Sequence, residues 1–152
     1  MAELKDKLRA ELTASMKARD ELRSSTLRMV LTAITNAEVS GKQARELSDD
    51  DVTSVLATEG KKRREAATAF DDAGRGELAA KERAEAAIIG EFLPEPMNDD
   101  EIAALVTTTI DELGVRGDGM KAMGRVMGTI TPQVKGRADG GAVSAEVRRQ
   151  LG

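Results

Sequence analysis

At 152 residues the chain has room for one ordinary domain or two small ones sharing an interface, and 40% hydrophobic residues is enough to bury a core. Neither Cys nor His occurs, which removes disulfides, the common zinc ligands, the usual general base near neutral pH, and the Ser-His and Cys-His nucleophile pairs. No metal site, cofactor or catalytic residue is therefore expected. With no Tyr or Trp and only Phe70 and Phe92, few rings are on offer for base stacking, and the net charge of −4 is far from that of a dedicated nucleic-acid binder.

The start, Met1 to Lys7, mixes acidic with basic residues and leads into no apolar run, so neither a signal nor a transit peptide is expected, nor any membrane span. A soluble cytoplasmic protein follows as the expectation. Helical periodicity runs throughout, and sustained apolar-polar alternation is nowhere found, so the fold class is all-α. A first helix over about 2–18 carries Leu4, Leu8, Leu12 and Met16, and a second over about 21–38 carries Leu27, Val30, Leu31 and Ile34. Ser48 is placed to cap a third helix, with Asp49, Asp50 and Asp51 at its positive end. The apolar stripe of that helix begins with Val52, Val55 and Leu56, breaks from Glu59 to Glu65, and resumes at Ala66 and Phe70. The broken part is expected to project past the core.

Gly74-Arg75-Gly76 should stop the third helix, and Leu78, Ile88, Ile89, Phe92 and Leu93 mark a fourth, ended by Pro94 and Pro96. Those prolines suggest a boundary between an N-terminal four-helix domain, 1–96, and a small three-helix tail, 97–152. Asn98 and Glu101 form a capping box for a fifth helix bearing Ile102, Leu105, Val106, Thr109 and Ile110, closed by Gly114. A sixth carries Met120, Met123, Met127, Ile130 and Val134, with Pro132 expected to end or kink it. After the corner Lys135-Gly136-Arg137-Ala138-Asp139-Gly140-Gly141, a last short helix carries Val143, Val147 and Leu151.

The stretches Leu27-Arg28-Met29, Ala33-Ile34, Asn36-Ala37-Glu38, Lys61-Lys62-Arg63-Arg64-Glu65, Phe70 with Ala73-Gly74-Arg75, Leu78-Ala79, Lys81-Glu82, Phe92-Leu93-Pro94, Met120 to Met127, and Lys135 to Gly140 form a shared pattern. Together they resemble the YqeY-like family along nearly the whole chain. That family looks like a free-standing relative of the tail of GatB, a subunit of the glutamine-dependent amidotransferase that corrects misacylated tRNA. In that enzyme the tail contacts tRNA. The resemblance implies tRNA binding or assistance to amidation, with amidotransferase or translation components as partners. It brings no amidotransferase chemistry, because the large phosphorylating domain and the amidase partner have no counterpart here. Gly60 departs from the family pattern at a point where a helix former is expected, and costs about 1 kcal/mol against Ala in a helix interior.

Two basic clusters are candidates for phosphate contact. Lys61, Lys62, Arg63 and Arg64 stand in a row, but successive helical residues turn by about 100°, so at most two can face one backbone. A solvated helix face is the plainer meaning of such a run. At the corner, Lys135 and Arg137 flank a glycine that lets backbone approach a phosphate, while Asp139 competes for the following helix amides. From Arg116 to Gly152, where Lys121 and Arg125 add to the corner, seven Lys or Arg face three Asp or Glu. Gly124 and Gly128 suggest close helix packing, and the methionines suggest core filling or an adaptable partner groove. The acidic clusters at the helix starts are explained by capping, and Ser24-Ser25-Thr26 lacks the surroundings of a nucleophile.

The leading expectation is an RNA-binding accessory protein that contacts tRNA or another structured RNA through its tail. Two alternatives stand beside it. One is carbon-nitrogen ligase activity with glutamine as amide donor, against which the missing nucleophile and nucleotide loop argue. The other is a helical protein-protein adaptor.

Overall fold

The protein, seen in a computed structural model that describes Glu3–Gly152, is all-helical: its described residues form seven α-helices and no strand. They fall into two compact units, one ending at Pro94 and one running Glu95–Gly152.

The first unit holds α1 (Glu3–Lys17), α2 (Glu21–Glu38), α3 (Asp49–Asp72) and α4 (Gly76–Gly90). Its core gathers Leu8, Leu27, Val30, Ile34, Leu47, Val52, Leu56, Ile89 and Phe92. On α1 the spacing of four winds off the buried face by about 40° a step, because a helix repeats every 3.6 residues. Leu8 is therefore fully buried, Leu4 and Leu12 pack against the core at partial depth, and Met16 is 44% exposed, contrary to expectation. Ser15 takes the buried position instead, its hydroxyl 2.7 Å from that of Ser24 on α2.

One ion pair ties three parts of this unit together. Lys5 Nζ donates to both Glu38 oxygens at 2.8 and 2.9 Å, and the Leu47 amide donates to the same carboxylate at 3.3 Å. That second bond folds the loop after α2 back onto its end. Ser48 then caps α3 in a full capping box with Asp51, an arrangement whose cap residue is worth about 1 kcal/mol.

The polar stretch of α3 does not project past the core. The helix is continuous through Gly60, and Glu59 and Gly60 are both buried, since this stretch packs along α4, the most extensive helix pairing in the molecule. A Cβ on Gly60 would lie 3.6 Å from Ile89 Cγ2, so the close approach of α4 begins there. Gly74, at φ +74°, turns the chain after α3 as a left-handed residue should. The fourth helix stops at Gly90, earlier than the prolines suggested. Phe92 still reaches the core, from a turn, with Lys7 and Arg23 over its ring at 5.6 and 5.8 Å.

The second unit holds α5 (Asp99–Leu113), a 3₁₀ turn (Gly119–Ala122), α6 (Met123–Val134) and α7 (Gly140–Leu151) around a separate core. Asn98 and Glu101 form the expected capping box, and Gly114 closes α5 in the left-handed region. Gln150 joins α7 to α5, accepting from Thr107 Oγ1 at 2.8 Å and donating to the Ala103 carbonyl at 3.0 Å. On α6 the core face is Val126, Ile130 and Val134, preceded by Ala122, rather than the methionines. Met123 and Met127 flank that core and Met120 is 48% exposed. The sequence offers two overlapping stripes, and the stiff β-branched one took the core. Pro132 does not end α6, which continues to Val134. Gly124 and Gly128 are exposed and nothing among the described residues lies within 4 Å of a Cβ built on either, so they serve no close packing there.

Candidate nucleic-acid interface

The basic row on α3 is divided by the helix that carries it. Arg63 turns inward, only 15% exposed, between Glu85 at 3.2 Å, Glu59 at 3.6 Å and Glu82 at 3.8 Å. Its guanidinium also points at the Met29 sulfur, 2.7 Å away, which brings α2 into the same knot. Three carboxylates around one guanidinium leave that group no capacity for a phosphate, and Glu82 Oε2 is buried without a hydrogen bond. Lys61 lies 4.0 Å from Glu65 in an exposed pair of little strength, and exposed Lys62 lies 3.9 Å from the buried Glu59. Arg64 is exposed and pairs with no carboxylate among the described residues. The row thus presents Lys61, Lys62 and Arg64 outward and spends Arg63 on holding α3 to α4.

The tail corner is divided in the same way. Gly136 adopts φ +77°, and the Arg137 and Ala138 amides both donate to the Val134 carbonyl, which turns the chain from α6 toward α7. Arg137 does not reach out from this turn. Its Nε donates to the Glu95 carbonyl at 2.8 Å, and a terminal nitrogen sits 3.4 Å from Glu101 Oε2. Its own carbonyl accepts from the Met97 amide at 2.9 Å. Arg137 is a clasp that fastens the segment leading into α5. Asp139 stands at the N-cap position of α7, and its carboxylate would sit 3.0 Å from a Cβ on Gly141, so negative charge occupies the start of that helix. That placement works against an anion at the α7 amides.

Two more tail cations are neutralised. Arg116 bonds Asp111 at 2.8 Å through Nε, and Arg149 bonds Glu146, which holds the Glu146 carboxyl below the usual carboxylate range, chiefly through that hydrogen bond. Lys121, Arg125, Lys135 and Arg148 are exposed and form no ion pair among the described residues. Lys121, Arg125 and Lys135 run along the 3₁₀ turn, α6 and its end, beside the open surface left by Gly124 and Gly128. The whole unit, 95–152, holds nine Asp or Glu against seven Lys or Arg, so its charge is polarised rather than basic overall. Six of those nine carboxylates lie between Glu95 and Glu112, before or on α5.

Of the eight residues expected to contact RNA, Arg63 and Arg137 are engaged in internal contacts, while Lys61, Lys62, Arg64, Lys121, Arg125 and Lys135 are exposed. Arg148 on α7, which the sequence did not single out, is exposed as well. No described helix is long and apolar enough to cross a membrane.

Similarity to known proteins runs along nearly the whole chain. It is 26% identical over 149 residues to "Altered inheritance of mitochondria protein 41, mitochondrial" of Pyrenophora tritici-repentis, covering 96% of this chain and 80% of that one. It is 39% identical over 88 residues to the "Uncharacterized protein C22F3.15" of Schizosaccharomyces pombe, covering 58% and 70% of the two chains. Against a Saccharomyces cerevisiae protein that bears the same name as the Pyrenophora one, identity is 30% over 128 residues, 81% of this chain and 68% of the other. The sequence profile of the Yqey-like protein family matches residues 5–151, and the chain belongs to that family.

Proposed function

We propose that the protein is an RNA-binding accessory factor of the cytoplasm that contacts tRNA or another structured RNA through α6 and the turns at its two ends. The observation that carries this is the set Lys121, Arg125 and Lys135, exposed and without carboxylate partners in a unit whose other charges are largely acidic or paired. Cations with no internal work are what a phosphate backbone recruits, and release of its counterions supplies the affinity. Gly124 and Gly128 keep the neighbouring surface free of side chains, so a bulky backbone can approach the helix. The near absence of aromatic rings directs recognition to shape and phosphate rather than to bases. The likeness of the family to the GatB tail supports the same assignment, and amidotransferase or translation components enter as partners rather than as chemistry of this chain.

The test is binding of bulk tRNA across a salt titration. The parent should bind at low salt with a log K against log salt slope that becomes shallower by about 0.9 for each true contact removed. Lys121→Ala, Arg125→Ala and Lys135→Ala should each flatten it. Absence of binding at low salt, or a slope unchanged in the triple variant, would overturn the assignment.

A further inference from the structure

Pro132 stands in the body of α6, and a proline there has no N–H to give. The helical bond it would otherwise make is accepted by the carbonyl four residues earlier, that of Gly128. The carbonyls on either side are served by side chains: Thr131 Oγ1 donates to the Met127 carbonyl at 2.7 Å, and Gln133 Nε2 donates to the Thr129 carbonyl at 3.0 Å. No side chain among the described residues does the same for Gly128. Gly128 and Pro132 are both exposed, and nothing among the described residues lies within 4 Å of a Cβ built on Gly128, so this carbonyl lies on open surface.

Steps of about 100° per residue place Arg125, Gly128, Pro132 and Lys135 within about 80° of one another around α6 and its end. The core face of Val126, Ile130 and Val134 lies on the opposite side. Along the axis, Gly128 falls between Arg125, about 4.5 Å to one side, and Lys135, about 10 Å to the other. The stripe thus runs cation, backbone acceptor, cation, with no side chain on Gly128 to hold a ligand off.

Taken with the RNA assignment above, on which it rests, this stripe calls for a particular partner group. A carbonyl oxygen only accepts, so it turns away the phosphates that Arg125 and Lys135 draw in, and the ligand must place a donor between them. The ribose of RNA carries such a donor, its 2′-hydroxyl, and the deoxyribose of DNA does not. An A-form duplex displays these hydroxyls across a wide, shallow minor groove, which a helix face bare of side chains can approach. We infer that the Gly128 carbonyl accepts from a 2′-hydroxyl in the minor groove of an RNA duplex, and that Pro132 keeps it available by withholding the internal bond. The protein then selects duplex RNA over duplex DNA without reading a base. The guanine amino group, the other minor-groove donor, is common to both and gives no such preference.

The experiment measures, by fluorescence anisotropy on the full chain, bulk tRNA and three short duplexes of one sequence: RNA, DNA, and 2′-fluoro RNA, which keeps the A-form but loses the donor. The RNA duplex should bind about fivefold more tightly than the other two, the effect of one hydrogen bond. Pro132→Ala supplies the missing N–H. Its melting temperature should hold or rise, its salt slope should match the parent because no cation is lost, and its preference for RNA should vanish. If tRNA does not bind the parent at low salt, the RNA assignment falls and this inference with it. If tRNA binds with Lys121, Arg125 and Lys135 setting the salt slope, the assignment stands, and the inference alone is overturned by an RNA duplex that does not bind, by three duplexes that bind alike, or by a Pro132→Ala variant that keeps the preference.

Discussion

The row on α3 and the tail corner contain similar numbers of basic residues, and each gives up its most central arginine to the interior. Arg63 is drawn into three carboxylates between α3 and α4. Arg137 is drawn onto a backbone carbonyl and Glu101. They differ in what remains: in the row, Lys61 and Lys62 have glutamates within 4.0 Å and only Arg64 pairs with no carboxylate among the described residues, whereas in the tail the exposed Lys121, Arg125 and Lys135 all lack one. A run of charge in sequence measures supply, and only the packed helices show how much of it stays available to a ligand.

The comparison is broken most severely by Arg63→Ala. Three partly buried carboxylates would be left facing one another, and loss of one partner from such a cluster costs about 3 kcal/mol or more. Chemical denaturation should show the first unit strongly destabilised, with the tRNA salt slope unchanged. Arg137→Ala should lower stability by about 1–2 kcal/mol through the lost charge-assisted bond, again without altering the slope. Lys135→Ala should do the reverse. A flattened slope in Arg137→Ala would return that residue to the interface.

Gly60→Ala sharpens the account of α3. An added Cβ would meet Arg64 Nη1 at 3.3 Å, the end of a mobile side chain, and Ile89 at an ordinary contact distance. The gain in helix propensity should therefore dominate, and thermal melting should show stabilisation of about 0.5–1 kcal/mol. A loss would mean that α4 cannot yield at that point.

The smallest expected effect concerns acid. Lys5 bonding holds the Glu38 carboxyl below the usual carboxylate range, with the Leu47 amide adding to it. A group depressed in the folded state contributes stability above its unfolded pKa, about 4.3 for glutamate, and that contribution is lost as pH falls through the lower folded value. Glu38→Gln should flatten the stability profile across that acid window and leave it parallel to the parent above pH 6.

Much of the fold was legible before any coordinate. Ser48, Asn98 and Gly114 mark helix ends by local hydrogen bonding that needs no tertiary partner, and each acts as its type dictates. Ile89 and the stripe of Leu27, Val30 and Ile34 fell into the core because their apolar spacing follows the helical period, and Phe92 because it is large and apolar. Stripes were less legible where two overlap. On α6 the methionines and the β-branched residues compete over adjacent faces, and on α1 the strict spacing of four drifts off the buried side. Gly124 and Gly128 looked like packing residues and lie in the open.

By itself, the sequence determined an all-helical chain without histidine or cysteine chemistry, with its caps, its turns and the excess of positive charge after Arg116, because all of these are local in composition or in spacing. Which cations are consumed and which glycines are exposed were decided only when the helices packed. Such properties belong to distances between residues far apart along the chain, and periodicity carries no record of them.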